Sequence, residues 1–348
     1  MAVNELPRVR LGSFPTPCEP APELEPLLGV NELWVKRDDL TGYSWGGNKV
    51  RTIEFLLADA IRRGSDTVVV CGGPTSNFAA LMAVACTQHG LAVHHVSYGS
   101  RPSRVPAALA VSLQSGAVVE FTGSQDRANM DAAANASACR LRAEGRHPYV
   151  VPRGGATAVG ALGFANAAVE LSEQLELIGV DVVTVVLPVG SGGTIAGLVA
   201  GCNYALGASS RARSSRSFGI EIVGVCVSRP PDELRDAINS IAVDCGAYAN
   251  RGIPPPSTDN CRWSLVDGRG AGFGVSDGRE DAMIDEIARR TRFLVDTTYN
   301  GKALAWLRES SNRFSGRIVY WHTGGTLGVI DRISDRHTAR ATPSNKKE

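Results

Sequence analysis

A lysine that follows two glycines, Gly46-Gly47-Asn48-Lys49, opens a stretch whose apolar residues Val50, Ile53, Leu57 and Ile61 recur on one helical face. The amine is therefore expected on the first turn of a helix, where the macrodipole disfavours a cation and lowers its pKa from about 10.4. A partly neutral lysine is a nucleophile that forms Schiff bases. A solvated lysine behind a flexible pair is the plainer alternative.

A second constellation, Pro188-Val189-Gly190-Ser191-Gly192-Gly193-Thr194, lies between an apolar run, Val182 to Leu187, and an apolar helix, Ile195 to Ala205. Such a loop aims backbone N–H groups and two hydroxyls at one point at a helix start, so it suits a phosphate. It lacks the lysine of a P-loop and does not fit G-x-G-x-x-G, which makes ATP and dinucleotides poorer matches; a packing turn is the alternative. Thr75-Ser76-Asn77 also falls between a strand and a helix start. Its polar groups serve either as an N-cap or as donors to a carboxylate or phenolic oxygen. Late in the chain come Asp296-Thr297-Thr298-Tyr299-Asn300-Gly301-Lys302 and His322-Thr323-Gly324-Gly325-Thr326. His322 is either a base or, at a strand end, a packed and hydrogen-bonded residue.

The elements that must position these groups alternate, short β-branched runs with longer amphipathic stretches, which is the rhythm of an α/β fold with parallel sheets. The helix that begins at Asn48 stops at Gly64, strand Thr67 to Val70 follows, and a helix from Asn77 to His89 precedes strand Leu91 to Val96. Further strands are expected at Ala117 to Phe121, Tyr149 to Val151, Val182 to Leu187, Ile220 to Val227 and Ile318 to Trp321. Ala208 to Ser217 and Gly252 to Asp259 read as loops, and the tail after Asp335 as frayed. No solenoid repeat is present.

With 348 residues, 43% of them apolar, the chain can bury the core of two domains, and its formal net charge of +1 removes the field expected of a nucleic-acid or membrane binder. The basic cluster Arg211, Arg213 and Arg216 reads as a solvated loop. Glu5, Pro7 and Arg8 interrupt any export signal, and Pro188 with the glycines after it breaks the long uncharged run Val182 to Gly207. Eight scattered cysteines without a C-x-x-C pair read as reduced thiols of a cytoplasmic protein, and no metal-ligand spacing stands out.

A reactive lysine, a phosphate loop without nucleotide features and polar strand ends together point to pyridoxal phosphate. The chain also resembles the D-cysteine desulfhydrase and 1-aminocyclopropane-1-carboxylate deaminase family, of the tryptophan-synthase β-like (fold type II) pyridoxal-phosphate enzymes. The matching segments are Phe14-Pro15-Thr16-Pro17, Lys36-Arg37-Asp38-Asp39-Leu40-Thr41-Gly42, Gly46-Gly47-Asn48-Lys49, Ser76-Asn77, Gly154-Gly155, Gly190 to Thr194, Tyr299-x-Gly301-Lys302 and His322-Thr323-Gly324-Gly325. The resemblance implies two three-layer α/β domains with mostly parallel sheets. Residues 46–160 would form a small mobile domain that carries the Schiff-base lysine, inserted in a large cofactor-binding domain of residues 1–45 and 161–348.

The resemblance also implies roles. Lys49 would bond the cofactor and shuttle protons; Gly190, Ser191, Gly192, Gly193 and Thr194 would cup the phosphate; Asn77 would meet the phenolic oxygen. Ser76 would bind the substrate carboxylate or assist proton transfer, with Asn77 and Phe273 also at the substrate. Tyr299 would cover the reacting carbons, and Thr323 and Asn300 would lie at the ring nitrogen. Thr75, Phe78, Phe273 and Asn300 depart from the family's usual residues. A neutral amide at position 300 cannot hold the pyridine nitrogen protonated as a carboxylate would, so loss of a good β leaving group is favoured over ring opening. The expected activity is therefore α,β-elimination from a small amino acid to pyruvate and ammonia, in a homodimer. β-Replacement, or a degenerate protein that only binds the cofactor, is the alternative.

Overall fold

The computed structural model describes residues 6–180, 182–209, 219–250 and 261–341. Along them run the strands β1 (Cys18–Pro20), β2 (Leu33–Arg37), β3 (Thr67–Cys71), β4 (Ala92–Ser97), β5 (Val118–Phe121), β6 (Pro148–Val151), β7 (Val182–Val189), β8 (Gly219–Cys226), β9 (Arg262–Asp267) and β10 (Ile318–His322). The helices between them are α1 (Glu25–Leu28), α2 (Lys49–Arg62), α3 (Asn77–Gln88), α4 (Ala107–Gln114), α5 (Asn129–Ala143), α6 (Ala158–Leu177), α7 (Gly193–Ser209), α8 (Pro231–Asn250), α9 (Gly278–Arg290), α10 (Asn300–Glu309) and α11 (Thr326–Ala341).

Two sheets result. The larger has the order β1-β2-β10-β7-β8-β9 and is parallel except for β1, which runs antiparallel to β2. The smaller has the order β5-β4-β3-β6 and is parallel throughout. Each is the middle of three layers, because successive side chains of a strand face opposite ways. In β3, Val68 and Val70 pack with Ile53 and Leu57 of α2 and Leu81 and Met82 of α3. Val69 and Cys71 turn to Met130, Ala134 and Leu141 of α5. In the larger sheet, Val185 and Leu187 of β7 meet Phe164 of α6 and Ile195 of α7 on one face, while Val186 meets Ile284 of α9 and Leu304 of α10 on the other. Each such fully buried Val or Leu contributes roughly 1.5–3 kcal/mol. Burial on both faces is why β7 reads as an unbroken apolar run.

One ionic cluster is buried with these cores. Arg51 of α2 donates to both Asp38 oxygens, Nε to Oδ2 and Nη2 to Oδ1, each at 2.9 Å, and to both oxygens of Glu170 on α6, also at 2.9 Å. Lys36 Nζ pairs with Glu170 and donates to the Thr16 carbonyl at 2.6 Å, and Trp321 Nε1 donates to Asp38 Oδ2 at 2.8 Å. The first turn of α2 is thereby tied to both layers of the larger unit.

Two expectations change. The tail does not fray at Asp335: α11 continues to Ala341, held by Arg332 and Arg336, which donate to Asp285 of α9 at 2.7 and 2.6 Å. Ala208 and Ser209 belong to α7 rather than to a loop. The rest of the stretch to Ser217, the basic cluster, and Gly252 to Asp259 lie outside the described residues. All eight cysteines are unbridged, and among the described residues no helix is long and apolar enough to cross a membrane, and none of the acidic, His and Cys groupings suits a metal ion.

Candidate active site

In open parallel sheets, ligands bind beyond the carboxyl ends of the strands, where loops leave a crevice. A cavity of about 280 Å³ opens at such ends, lined by Gly72 and Gly73 after β3, Tyr98 after β4, Arg153 after β6, Gly190 after β7, Ser228 after β8 and Thr323 after β10. Of the residues expected at a site, it brings together Lys49, Ser76, Asn77, Gly190, Ser191, Gly192, Thr194, Phe273, Tyr299 and Thr323.

Asn48, the residue before the lysine, joins segments far apart in sequence. Its Nδ2 donates to Thr194 Oγ1 at 3.2 Å and its backbone N–H to the Thr323 carbonyl at 3.1 Å. Gly47 and Gly324 make this approach possible, since a Cβ on Gly324 would lie 2.7 Å from the Gly47 Cα. The amine of Lys49 thus opens on the cavity beside the glycine loop. Its pKa is lowered to about 8, and the cause is burial, which disfavours the ammonium, rather than the helix dipole expected from sequence. The neutral amine accumulates above pH 8. The apo chain should therefore capture added pyridoxal phosphate at a rate that climbs to about pH 8 and then levels, followed by visible absorbance after rapid mixing; a climb continuing to pH 10 would contradict this.

The glycine loop runs into the first turn of α7, whose initial N–H groups have no partner within the helix. Gly192 takes φ +93°, and a Cβ there would stand 2.7 Å from Ile238 Cγ1. Gly193 is the first residue of α7 and is not among the cavity's lining residues, although Gly192 and Thr194 on either side are. Ser76 is the N-cap of α3, accepting from the Ala79 N–H at 3.2 Å, so its hydroxyl already has a structural duty. The neighbouring Asn77 faces the cavity with its buried Oδ1 unpartnered, a polar group left for a ligand.

Tyr299 and Phe273 form an edge-on pair, ring centres 6.0 Å apart, and a Cβ on Gly190 would come 3.0 Å from Tyr299 Cε1. Burial and nearby Asp296 push the Tyr299 phenol up to about 12, so it stays protonated at neutral pH. Asn300 is the exception among the expected site residues. It is fully buried behind Thr323 and does not line the cavity. Its Nδ2 donates to Asp296 Oδ1 and the Gly324 carbonyl, each at 2.8 Å, and its Oδ1 accepts from Tyr320 Oη at 3.0 Å and Thr323 Oγ1 at 3.3 Å. It reaches the cavity only through Thr323, whose N–H and hydroxyl both donate to its Oδ1. His322 is the packed kind: Nδ1 accepts from the Gly324 N–H at 3.1 Å, Nε2 bonds the Leu294 carbonyl at 3.1 Å, and the ring stacks on Phe293.

Sequence reasoning singled out the segment that Asp296 opens but gave that residue no role; its carboxylate accepts from the N–H groups of Thr298, Tyr299 and Asn300 at 2.8–3.0 Å and so sets the turn that presents Tyr299. The same reasoning passed over three arginines on the cavity wall, Arg127, Arg153 and Arg229. Arg153 and Arg229 sit just past strand ends, a position that would have flagged them.

These residues fit pyridoxal phosphate. A partly neutral lysine, an unpartnered Asn77 oxygen and a helix start behind a glycine loop share one cavity. Comparison with known proteins agrees. The chain is 32% identical to the D-cysteine desulfhydrase of Salmonella newport over 337 residues, 94% of this chain and 97% of that protein. A solved structure described as an ACC deaminase homologue matches with a TM-score of 0.82 and 29% identity, covering 97% of both chains. The fungal L-serine ammonia-lyase from Rhizomucor miehei shares the fold, with a TM-score of 0.61 and 18% identity over 95% of this chain and 98% of that one. Residues 9–324 match the family described as pyridoxal-phosphate dependent enzyme, and the chain belongs to that family.

Proposed function

We propose that the protein is a lyase that removes a β substituent and ammonia from a small amino acid, releasing pyruvate, as the names of its relatives suggest. The observation that carries this reading is Asn48, which ties the start of the lysine's helix to Thr194 of the glycine loop and to Thr323 at once. When bound, pyridoxal phosphate supplies a sink for the electrons left on the substrate α-carbon. The chain's own residues do the rest. Lys49 takes the proton from the α-carbon, a task suited to an amine whose pKa lies near 8. The N–H groups at the start of α3 hold the substrate carboxylate beside Ser76 and Asn77. Gly190 to Thr194 hold the phosphate, Thr323 meets the ring nitrogen under the control of Asn300, and the Tyr299 and Phe273 rings keep water from the reacting carbons.

In the same reading, residues 46–160 close as a lid over the bound amino acid. The working form is a homodimer in the cytoplasm with no nucleic-acid partner, in keeping with a formal net charge of +1 and eight unpaired thiols. Purified holoenzyme should convert D-cysteine or β-chloroalanine to equimolar pyruvate and ammonia. A new amino acid formed from an added thiol without pyruvate would assign β-replacement instead, and no turnover of any β-substituted alanine would overturn the reading.

A further inference from the structure

Three guanidinium groups share the wall of the cavity, and among the described residues Asp131 and Glu233 are the acids that act on them. Arg153 pairs with Asp131 at 3.5 Å. Arg127 and Arg229 have no ion pair among the described residues. Arg127 instead lies flat on the Phe273 ring, 4.0 Å from its centre, with Tyr98 5.9 Å away and Ser228 Oγ at 3.4 Å from its Nη1. Its Nε is buried and without a hydrogen-bond partner. Burial, with the fields of Arg153 and Arg127 acting alongside it, pulls Arg229 below its ordinary value against the opposing fields of Glu233 and Asp131, so the three guanidiniums feel one another.

An unpaired guanidinium held partly out of water is costly, and the cost is offset when an anion arrives. The cofactor phosphate already has the glycine loop and the start of α7. Arg127 is supplied by the loop after β5, and its contacts are with Tyr98, Ser228 and Phe273 rather than with that loop. Phe273 in turn packs on Tyr299, which sets Arg127 on the cavity wall beside that ring pair. Arginine's planar fork matches oxyanions of the carboxylate, sulfonate and phosphate kind.

We propose that the substrate carries a negatively charged group on its β-carbon, held by Arg127 and Arg229, so that the protein prefers acidic amino acids to cysteine itself. This rests on the lyase reading given above. One proton leaves the α-carbon, and the bond from the β-carbon to the anionic group breaks with its electron pair going to that group. One water then enters, and pyruvate and ammonium depart. The leaving group gains a further negative charge as it goes, and fixed guanidiniums stabilise that charge as it develops.

The test compares holoenzyme on alanines with a β-sulfonate, a β-phosphate ester, a β-thiol or a β-chloride, in both configurations, following pyruvate. The anionic pair should be preferred by about tenfold or more in kcat/KM. In Arg127→Met the ratio of anionic to neutral kcat/KM should fall by about 10- to 100-fold, carried by KM, with partial recovery in Arg127→Lys. A neutral preference in the wild type, a ratio unmoved by Arg127→Met, or a loss of affinity for pyridoxal phosphate in that variant would overturn the proposal. Should no compound yield pyruvate, the lyase reading fails by itself. Calorimetric binding of the same compounds to the holoenzyme then decides the anion site: tighter binding of the sulfonate or phosphate than of the thiol, lost in Arg127→Met, supports it, and equal binding overturns it.

Discussion

Lys49→Ala should lower pyruvate formation by at least about 10³-fold and abolish the visible absorbance that the holoenzyme owes to its lysine-bound cofactor. On the proposed mechanism two duties are lost together: the covalent hold on the aldehyde and the base that moves the α-proton. Small amines in the buffer separate them, because an amine that enters the cavity replaces the base without restoring the tether. Methylamine should therefore recover part of the turnover while the affinity for pyridoxal phosphate stays reduced. Folding gives an independent check. The Lys49 ammonium loses hydration on burial, and no acidic partner among the described residues compensates it. At pH 7, below its pKa of about 8, that ammonium costs stability, so the apo variant should unfold at a temperature no lower than the apo wild type. A variant that turned over normally would remove the chemical reading of the cavity; one that unfolded early would show that the amine has a structural partner.

Much of this was legible in the sequence because it depends on local rules. The burial of β3 and β7 on both faces, the stop of α2 near Gly64 and the start of α3 at Asn77 follow from apolar runs, glycine and a capping serine. The short edge strand β1 and the strands β2 and β9 were not foreseen. β2 contains Lys36 and Arg37, charges that suggest a surface until Glu170, 134 positions on, is seen to pair with Lys36. The same limit governs the site. The motifs indicated which residues face the cavity, but not that Asn300 lies behind Thr323 or that Arg127 crosses to Phe273. The first depends on α10 lying beside the end of β10, the second on a loop of the smaller sheet meeting one of the larger. The lowered pKa of Lys49 was expected in direction, yet its cause is burial, which no helix-end argument supplies.

The second large effect lies two residues along the same helix. Arg51 is 2% exposed and joins Asp38, itself wholly buried, to Glu170. Arg51→Met keeps most of the volume but leaves two carboxylates with Lys36 as their one strong cation among the described residues, and breaking a buried pair from one side costs about 3–5 kcal/mol. Urea unfolding should show that loss as a lower midpoint. The cost comes from stranded charge rather than from a missing bond, so adding Asp38→Asn to Arg51→Met, which leaves Glu170 paired with Lys36, should recover much of it. Acid titration gives the sign. Burial alone would raise the Glu170 pKa, but Arg51 and Lys36 overcome it and bring it from 4.5 to about 2. The resulting stability is present above about pH 4.5 and is lost as pH falls towards 2, an amount of about 3 kcal/mol. In Arg51→Met the Glu170 pKa rises, so the variant should start lower and lose less across that interval. Because Asn48 and Lys49 lead directly into Arg51, the affinity for pyridoxal phosphate should fall in the same variant. Unchanged stability with weakened cofactor binding would mean that the cluster orients the lysine without holding the fold.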